Sequence, residues 1–293
     1  DVYYRKTTDL LAVIPIPLLT NFTNRLISNV GSLENKGIEF NINGSPVQGE
    51  HFKWNVNANA TYNKNRILSL GPQEAGFAGI ENTGISGGTG TNIGLYAIGS
   101  PSSAFYAYQQ VYGANGKPID GVYADLNGDG KIDSNDRRVY QQSAPKVLLG
   151  FGSTMNYDRV SLAFSLRANL GNYVYNNVNS NLGNYQNIVG SNNFVSNVTQ
   201  DANYTGFVNS SQSRYSSDYY IQNGSFLRMD NATLGYDAGK VLNNKGSLRL
   251  TAAVQNVFVA TKYKGLDPEL PNGVDNNIYP RPRTYTFGLN LTL

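Results

Sequence analysis

Residues 52–63, FKWNVNANATYN, alternate between apolar and polar side chains without interruption. Side chains of a β-strand point to opposite faces with a period of two, so one face of this strand is apolar and the other carries asparagine amides. The apolar face has Phe52 and Trp54 at one end, Tyr62 at the other, and small residues between them. This order is typical of a strand that crosses a bilayer, for which about 9–11 residues suffice. A soluble β-sandwich with one wet face fits the same stretch.

Other stretches repeat this alternation and predict an all-β, antiparallel fold. They are residues 37–43, 147–157, 160–169, 247–256 and 284–293. Connections of only a few residues join successive strands, which is the pattern of β-hairpins. The alternation is less clean over residues 225–236, which indicates a β-bulge. About nine or ten strands are predicted in all.

The segments between these strands carry three further predictions. Residues 29–36, NVGSLENK, are predicted to form a turn, and residues 1–13 a strand that ends at Pro15 and Pro17. Residues 70–99, which are Gly-rich, and residues 171–217, which are rich in Asn, Ser and Tyr, show no periodicity and are predicted to be long loops. Loops of this length are uncommon unless they are functional.

The composition excludes several classes of protein. The net charge is +3, only 15% of residues are charged, and no basic cluster occurs, so nucleic acid is not an expected partner. The absence of cysteine rules out disulfides and thiolate metal sites. No apolar run reaches the roughly 18 residues that a transmembrane helix needs.

No catalytic set is predicted. Residues 84–88, GISGG, match the G-x-S-x-G pattern of a nucleophile elbow, but that motif requires a strand before it and a helix after it. Neither is indicated here. The one histidine, His51, precedes a strand and has no catalytic partner pattern around it. A flexible loop and a surface histidine explain both features, so the protein is not expected to be an enzyme.

Residues 125–136, DLNGDGKIDSND, have the spacing of an EF-hand-type calcium loop. Calcium prefers six to eight oxygen ligands, and a glycine at the sixth position permits the sharp turn. The predicted ligands are Asp125, Asn127, Asp129, Lys131 through its backbone carbonyl, Asp133 and Asp136. The predicted role of Ca²⁺ is structural. An Asx-rich turn without metal is the alternative interpretation.

Several segments together resemble one family, the SusC/RagA-type TonB-dependent outer-membrane transporters. They follow the order of that family along nearly the whole chain: DLLAVIPIP (9–17), NVGSLENKGIEF (29–40), FKWNVNANATYNKNRI (52–67), YADLNGDGKIDSNDR (123–137), PKVLLGF (145–151), NGSFLRMDNATLGY (223–236), QNVF (255–258), YKGLDPEL (263–270) and YPRPRTYTFGLNLTL (279–293). The ordered set is specific, although no single motif is decisive.

The resemblance implies that residues 1–293 form roughly the C-terminal half of a transmembrane β-barrel of about 22 strands with long extracellular loops. The plug, the TonB box and the N-terminal barrel strands are then expected upstream in the same polypeptide or in a companion chain, because an open sheet would leave unpaired edges in lipid. The expected location is the outer membrane of a Gram-negative bacterium, with lipid around the barrel.

The function that the resemblance implies is TonB-dependent import of a large nutrient. A SusD-like surface lipoprotein is the expected partner, an oligosaccharide the favoured cargo and an oligopeptide a close second. In such a barrel the polar face lines the lumen, and the candidates for that face are Asn55, Asn57, Asn59, Arg167 and Arg249. The alternative is a soluble or surface β adhesin stabilised by calcium.

Overall fold

An eight-stranded antiparallel sheet, here called the wall, runs through the chain. The computed structural model describes residues 1–15, 25–72, 77–88, 90–188, 194–209, 211–243 and 245–293. The wall strands are β1 (Val2–Pro15), β2 (Arg25–Gln48), β3 (Phe52–Leu70), β4 (Val147–Tyr157), β5 (Val160–Leu170), β6 (Phe226–Val241), β7 (Gly246–Thr261) and β8 (Thr284–Thr292). Each strand pairs with its neighbour in sequence, from β1 at one edge to β8 at the other.

The alternation of each wall strand is in register with that of its neighbours. One row across the sheet joins Phe40, Ala60, Leu149, Ala168 and Leu227, and all five are apolar. Two residues further along each strand, the row of Ile42, Ala58, Phe151, Leu166 and Met229 is also apolar. The row between them consists of Asn41, Asn59, Gly150, Arg167 and Arg228, which carry polar side chains apart from the glycine. Because directly opposed residues share a face, the register builds one continuous apolar face and one continuous polar face.

The connections differ in length at the two ends of the wall. At one end, the turn end, β2 and β3 are joined by residues 49–51, β4 and β5 by residues 158–159, and β6 and β7 by residues 242–245. Asp158 adopts a positive φ of 48° in its tight turn, a conformation that Asp tolerates. At the other end, the excursion end, long segments leave the wall. They are residues 71–146, 171–225 and 262–283.

The structure corrects two predictions about the wall. The turn predicted at residues 29–36 is wrong, because β2 continues through them and pairs with both β1 and β3. A β-bulge at Leu10 lets Gly31 lie against the β1 backbone, so glycine is accommodated without ending the strand. The wall has eight strands and the excursions add nine shorter ones among the described residues, so the prediction of about nine or ten strands in all is too low. β1 ends at Pro15, as expected, and Pro17 lies outside the described residues.

The excursions contain their own secondary structure, so the predictions of long loops at residues 70–99 and 171–217 are wrong in part. The first excursion holds the strands Ile80–Gly84, Asn92–Tyr96, Ala104–Tyr108, Gln110–Tyr112, Pro118–Tyr123 and Arg137–Gln142, with a 3₁₀ turn at Ser134–Asp136. The second holds the strands Tyr173–Asn176 and Ile221–Asn223, the α-helices Asn177–Leu182 and Asp201–Thr205, and the 3₁₀ turns Tyr185–Ile188, Gln212–Ser216 and Asp218–Tyr220. The third holds the strand Val274–Asp275.

The three excursions form one body, here called the mouth assembly, around a shared hydrophobic core. That core combines Ile93, Phe105 and Ala107 of the first excursion with residues of the second: Tyr175, Phe207, Tyr220 and Ile221. The third excursion joins through a main-chain bond from the Tyr175 amide to the Gly273 carbonyl, at 2.8 Å. Within the described part of the chain, no helix has the length and apolar character of a membrane span.

Candidate functional site

The apolar face of the wall, here called the belt, is open to the surroundings. Ile38, Phe40 and Ile42 on β2 expose 55%, 60% and 51% of their surface, and Phe287 on β8 exposes 83%. Water-soluble proteins rarely expose a contiguous apolar patch larger than a few hundred Å². Near the turn end, one row of the belt is rich in aromatic residues, with Phe52, Tyr157 and Tyr236 in register. Both features are typical of a face that meets lipid.

The polar face carries the asparagines that the sequence predicts. Asn55, Asn57 and Asn59 on β3 are all exposed there. On β4, the residues opposite Asn59 and Asn57 are Gly150 and Gly152, and a Cβ at either glycine would collide with the facing amide. The two glycines therefore give the amides room to lie against the wall. That this face lines a lumen stays a prediction.

A cluster of six charged side chains lies on the polar face near the excursion end. Arg167 of β5 and Arg228 of β6 are direct cross-strand partners, an arrangement that destabilises a sheet unless counter-charges are present. The counter-charges come from a bulge in β6 and from the third excursion, which also adds a further arginine. The ion cluster consists of Arg167, Arg228, Arg281, Asp230, Asp267 and Glu269.

The geometry of the ion cluster is tight. Arg167 donates from Nε to Asp230 at 2.7 Å and from Nη1 and Nη2 to the two oxygens of Glu269. Arg228 donates to Asp267 at 2.6 Å, and both side chains are nearly fully buried, with 2% and 5% exposed. The hydrogen bonds from Arg167 hold the pKa of Glu269 below its usual range. The cluster therefore fastens the third excursion to the polar face of the wall.

Two backbone irregularities bring these groups together. The register of β6 shifts at Asp230, which places this extra residue beside Arg167 and confirms the predicted bulge. On the facing part of β7, Asn256 has a positive φ of 53°. The side-chain oxygen of Asn256 accepts a hydrogen bond from Arg228 at 3.0 Å. The side-chain nitrogen, Nδ2, donates to the backbone carbonyl of Arg281 at 3.1 Å.

The two arginines predicted to face the lumen have different surroundings. Arg249 is exposed on β7 and donates to the Ser161 hydroxyl at 2.9 Å. Arg167 lies on the predicted face, but carboxylates rather than water alone surround it, and its side chain is 32% exposed. The sequence reasoning missed Arg228, Asp267 and Glu269. The one sequence feature that points to the ion cluster is the pair of acidic residues in 263–270. Their partners Arg167 and Arg228 are far away in sequence, so the pairing could not be predicted.

The structure places the six predicted calcium ligands in one exposed loop of the mouth assembly, between Pro118–Tyr123 and Arg137–Gln142. The first and sixth positions approach each other, because Asp125 accepts a hydrogen bond from the Gly130 amide at 2.8 Å. Gly130 has a φ of 79° and open space where a Cβ would be. Asn127, Asp129, Lys131 and Asp133 are exposed between the ends of the loop.

The last predicted ligand, Asp136, differs from the others because it is fully buried. Its carboxylate accepts hydrogen bonds from the backbone amides of Asp133, Leu126 and Asn127, which hold its pKa below the usual range. Among the described residues, no group of three or more acidic or histidine side chains is arranged to hold a metal ion. The spacing and the oxygen donors fit Ca²⁺, while the carboxylates of the present arrangement face backbone amides.

The two enzyme-like features have structural roles in the described residues. His51 is exposed and lies 2.7 Å from Asp158, so it joins the two neighbouring short connections at the turn end. Ser86 of the GISGG stretch donates its backbone amide to Asn177 at 2.7 Å, and its carbonyl accepts from the same side chain at 2.9 Å. These bonds tie the first excursion to the second.

Proteins of known identity resemble this chain along its full length. The TonB-dependent receptor SusC of Bacteroides thetaiotaomicron is 44% identical over 297 residues, covering 99% of this chain and 29% of SusC. The TonB-dependent receptor P26 of Formosa agariphila is 30% identical over 323 residues, covering 100% of this chain and 32% of P26. The chain thus spans about a third of the length of these relatives. No protein-family model matches it.

Solved structures of a transporter have a similar fold. The structure of the RagAB peptide transporter superposes on the whole chain with a TM-score of 0.74 and 23% identity, and the chain covers 33% of it. The open-open state of the RagAB peptide importer gives the same TM-score. These relatives are receptors and transporters, not enzymes. The chain belongs to the SusC/RagA type of TonB-dependent transporters and corresponds to a C-terminal portion of such a protein.

Proposed function

We propose that the chain forms part of the barrel wall of a TonB-dependent importer in the outer membrane of a Gram-negative bacterium. The single observation that carries this proposal is the two-faced wall, with an exposed belt on one side and asparagines on the other. The similarity to SusC over 99% of the chain supports the same function. The long excursions then lie outside the cell, because barrels of this kind have short periplasmic turns.

The proposed cargo is an oligosaccharide. The relative that is named as a peptide transporter is only 23% identical to this chain, so its cargo gives little support to a peptide here. The mouth assembly exposes aromatic side chains on which a sugar ring can stack, among them Tyr112, Tyr204 and Tyr279. An oligopeptide is the second candidate, because asparagine amides also bind peptide backbones.

The proposed partner is a SusD-like surface lipoprotein that contacts the mouth assembly. Phe194 and Val195 in the second excursion expose 77% and 83% of their surface, and Tyr279 in the third exposes 90%. Aromatic residues of this kind are enriched at protein interfaces. The plug and the segment that contacts TonB are proposed to lie outside residues 1–293.

Uptake by cells tests the transport proposal. A strain that lacks the full-length gene, and the same strain complemented, would be supplied with labelled oligosaccharides and oligopeptides of matched size. We expect uptake of an oligosaccharide only in the complemented strain, and no uptake when TonB is deleted. Peptide uptake alone would contradict the cargo. A protein that is soluble and monodisperse without detergent would contradict the barrel and favour the adhesin.

We further propose that the loop 125–136 binds Ca²⁺ as a structural ion. We expect isothermal titration of the EDTA-treated full-length protein to show saturable Ca²⁺ binding, with a Kd of about 10⁻⁴–10⁻³ M as in extracellular modules. Asp125→Ala should abolish it, since that carboxylate is the first ligand. Asn135→Ala, at a non-ligand position of the same loop, is the matched control. Equal binding by both variants would show that the loop is an Asx-rich turn.

A further inference from the structure

Basic side chains lie on the outer face of β1, β2 and β3, immediately beyond the belt at its excursion end. The last apolar row there joins Val2, Ile38 and Tyr62. The next two rows on the same face consist of Tyr4, Lys36 and Lys64, followed by Lys6, Glu34 and Arg66. Directly opposed residues of neighbouring strands share a face, so all four basic side chains point the same way as the belt. Lys6, Lys36, Lys64 and Arg66 are here called the basic rows.

The charge of the basic rows is poorly compensated within the sheet. Lys36 and Lys64 are direct cross-strand partners, and like charges in that position repel. Glu34 is the one acidic residue in these rows, and its carboxylate lies 3.6 Å from the Lys36 ammonium. Among the described residues, no carboxylate lies within 4 Å of Lys6, Lys64 or Arg66. A bound anion would relieve the repulsion that the register imposes.

The position of the basic rows identifies the class of anion. They continue the belt directly, so a molecule that contacts both must combine a negatively charged group with apolar chains. Exposed Ile38 and Phe40 offer a surface for such chains. Arginine binds phosphate through paired hydrogen bonds, and lysine binds it as a point charge. Basic clusters at the edge of a membrane-spanning surface recognise lipid headgroups in this way.

We propose that the basic rows bind the phosphate-bearing headgroup of a lipid in the outer leaflet, with the acyl chains lying along the belt. This inference rests on the proposed function, because it requires the belt to meet lipid and the excursions to face outward. It adds a specific lipid site to a wall that would otherwise meet lipid only through apolar contact. The site would fix the depth of β1–β3 in the membrane.

Lipid retention by the full-length protein tests this site. Protein purified in detergent would be titrated with bisphosphorylated lipid A, and bound lipid would be counted by native mass spectrometry. We expect Lys36→Ala/Lys64→Ala to bind about 30-fold more weakly, roughly five-fold for each lysine. Lys53→Ala, which removes an exposed lysine from the polar face of β3, is the matched control and should bind as the unmodified protein does.

Two further arms identify the recognised group. Dephosphorylated lipid A should bind the unmodified protein as weakly as the bisphosphorylated lipid binds the double variant. High salt should weaken binding of the phosphorylated lipid only, because exposed charges are screened. Equal binding of both lipids, or equal losses in the Lys53 and double variants, would overturn the proposal. Cargo uptake measured in parallel separates the lipid site from the transport proposal. The double variant should still take up cargo. If the unmodified protein takes up no cargo, the transport proposal fails, and the lipid-binding comparison of the variants still tests the site.

Discussion

Val56→Arg should destabilise the full-length protein by about 2–4 kcal/mol, the cost of an arginine that faces lipid at the bilayer midplane. Val56 lies on the belt in the middle of β3, between the rows that contain Tyr62 and Phe52. Its cross-strand neighbours are Gly44 and Ser153, neither of which can pair with a guanidinium charge. Urea unfolding of the protein in lipid vesicles, followed by its heat-modifiable mobility on gels, measures the loss.

Asn57→Arg is the matched control for this substitution, because it introduces the same side chain one residue further along the same strand. Asn57 lies on the polar face and is exposed, and Gly152 opposite it leaves space above the sheet. We expect a change within about 0.5 kcal/mol, as for surface substitutions in general. Similar losses at both positions would refute the assignment of the two faces, and a loss at Asn57 alone would reverse it.

Arg228→Met should cost about 3–5 kcal/mol, since removing one partner of a buried ion pair leaves the other charge inadequately compensated. Arg228 is 2% exposed and is bonded to Asp267 and to Asn256. After the substitution, Arg281 is the one charged partner left to the buried Asp267 carboxylate among the described residues, and its side chain is 45% exposed. The backbone amide of Glu269 still donates to Asp267, at 2.9 Å, but it carries no charge. Methionine fills similar space, so the loss reports the charge rather than a cavity.

Arg249→Met is the control for the ion cluster. This arginine is also on the polar face, but it is exposed and makes one hydrogen bond to Ser161. We expect less than about 0.5 kcal/mol, because the lost bond is replaced by bonds to water. The same unfolding assay compares the two variants. If Arg228→Met were as mild as Arg249→Met, the ion cluster would not fasten the third excursion.

The alternating parts of the wall could be predicted from the sequence because the environment of each face is uniform. Along β3, β4, β5 and β8 every second side chain meets the same surroundings, so the period of two survives in the residue types. Periodicity did not identify residues 29–36 as part of β2. They lie beyond the belt on the excursion side, where both faces of β2 carry polar residues, and a polar strand is not distinguishable from a turn by periodicity.

The mouth assembly and the ion cluster could not be predicted, because their contacts join residues that are distant in sequence. Phe105 and Tyr175 share a core although 70 positions separate them, and neither stretch has a periodic pattern. Arg228 and Asp267 meet only because the third excursion folds back over the polar face. The spacing of oxygen-bearing residues in 125–136 could be recognised from the sequence, because a calcium-type loop is defined by residues that are close together in the chain.

The shared core of the three excursions has a consequence for how the proposed cargo specificity could change. The wall is a meander in which each strand needs only its neighbours, so it can remain constant while the segments at one end vary. The excursions themselves are not independent modules, because Ile93, Tyr175 and Gly273 come from three different ones and meet in one body. Grafting a single excursion from a relative would leave a mismatched core. New specificity is therefore expected to arise by exchange of the whole mouth assembly, or by point changes on its surface.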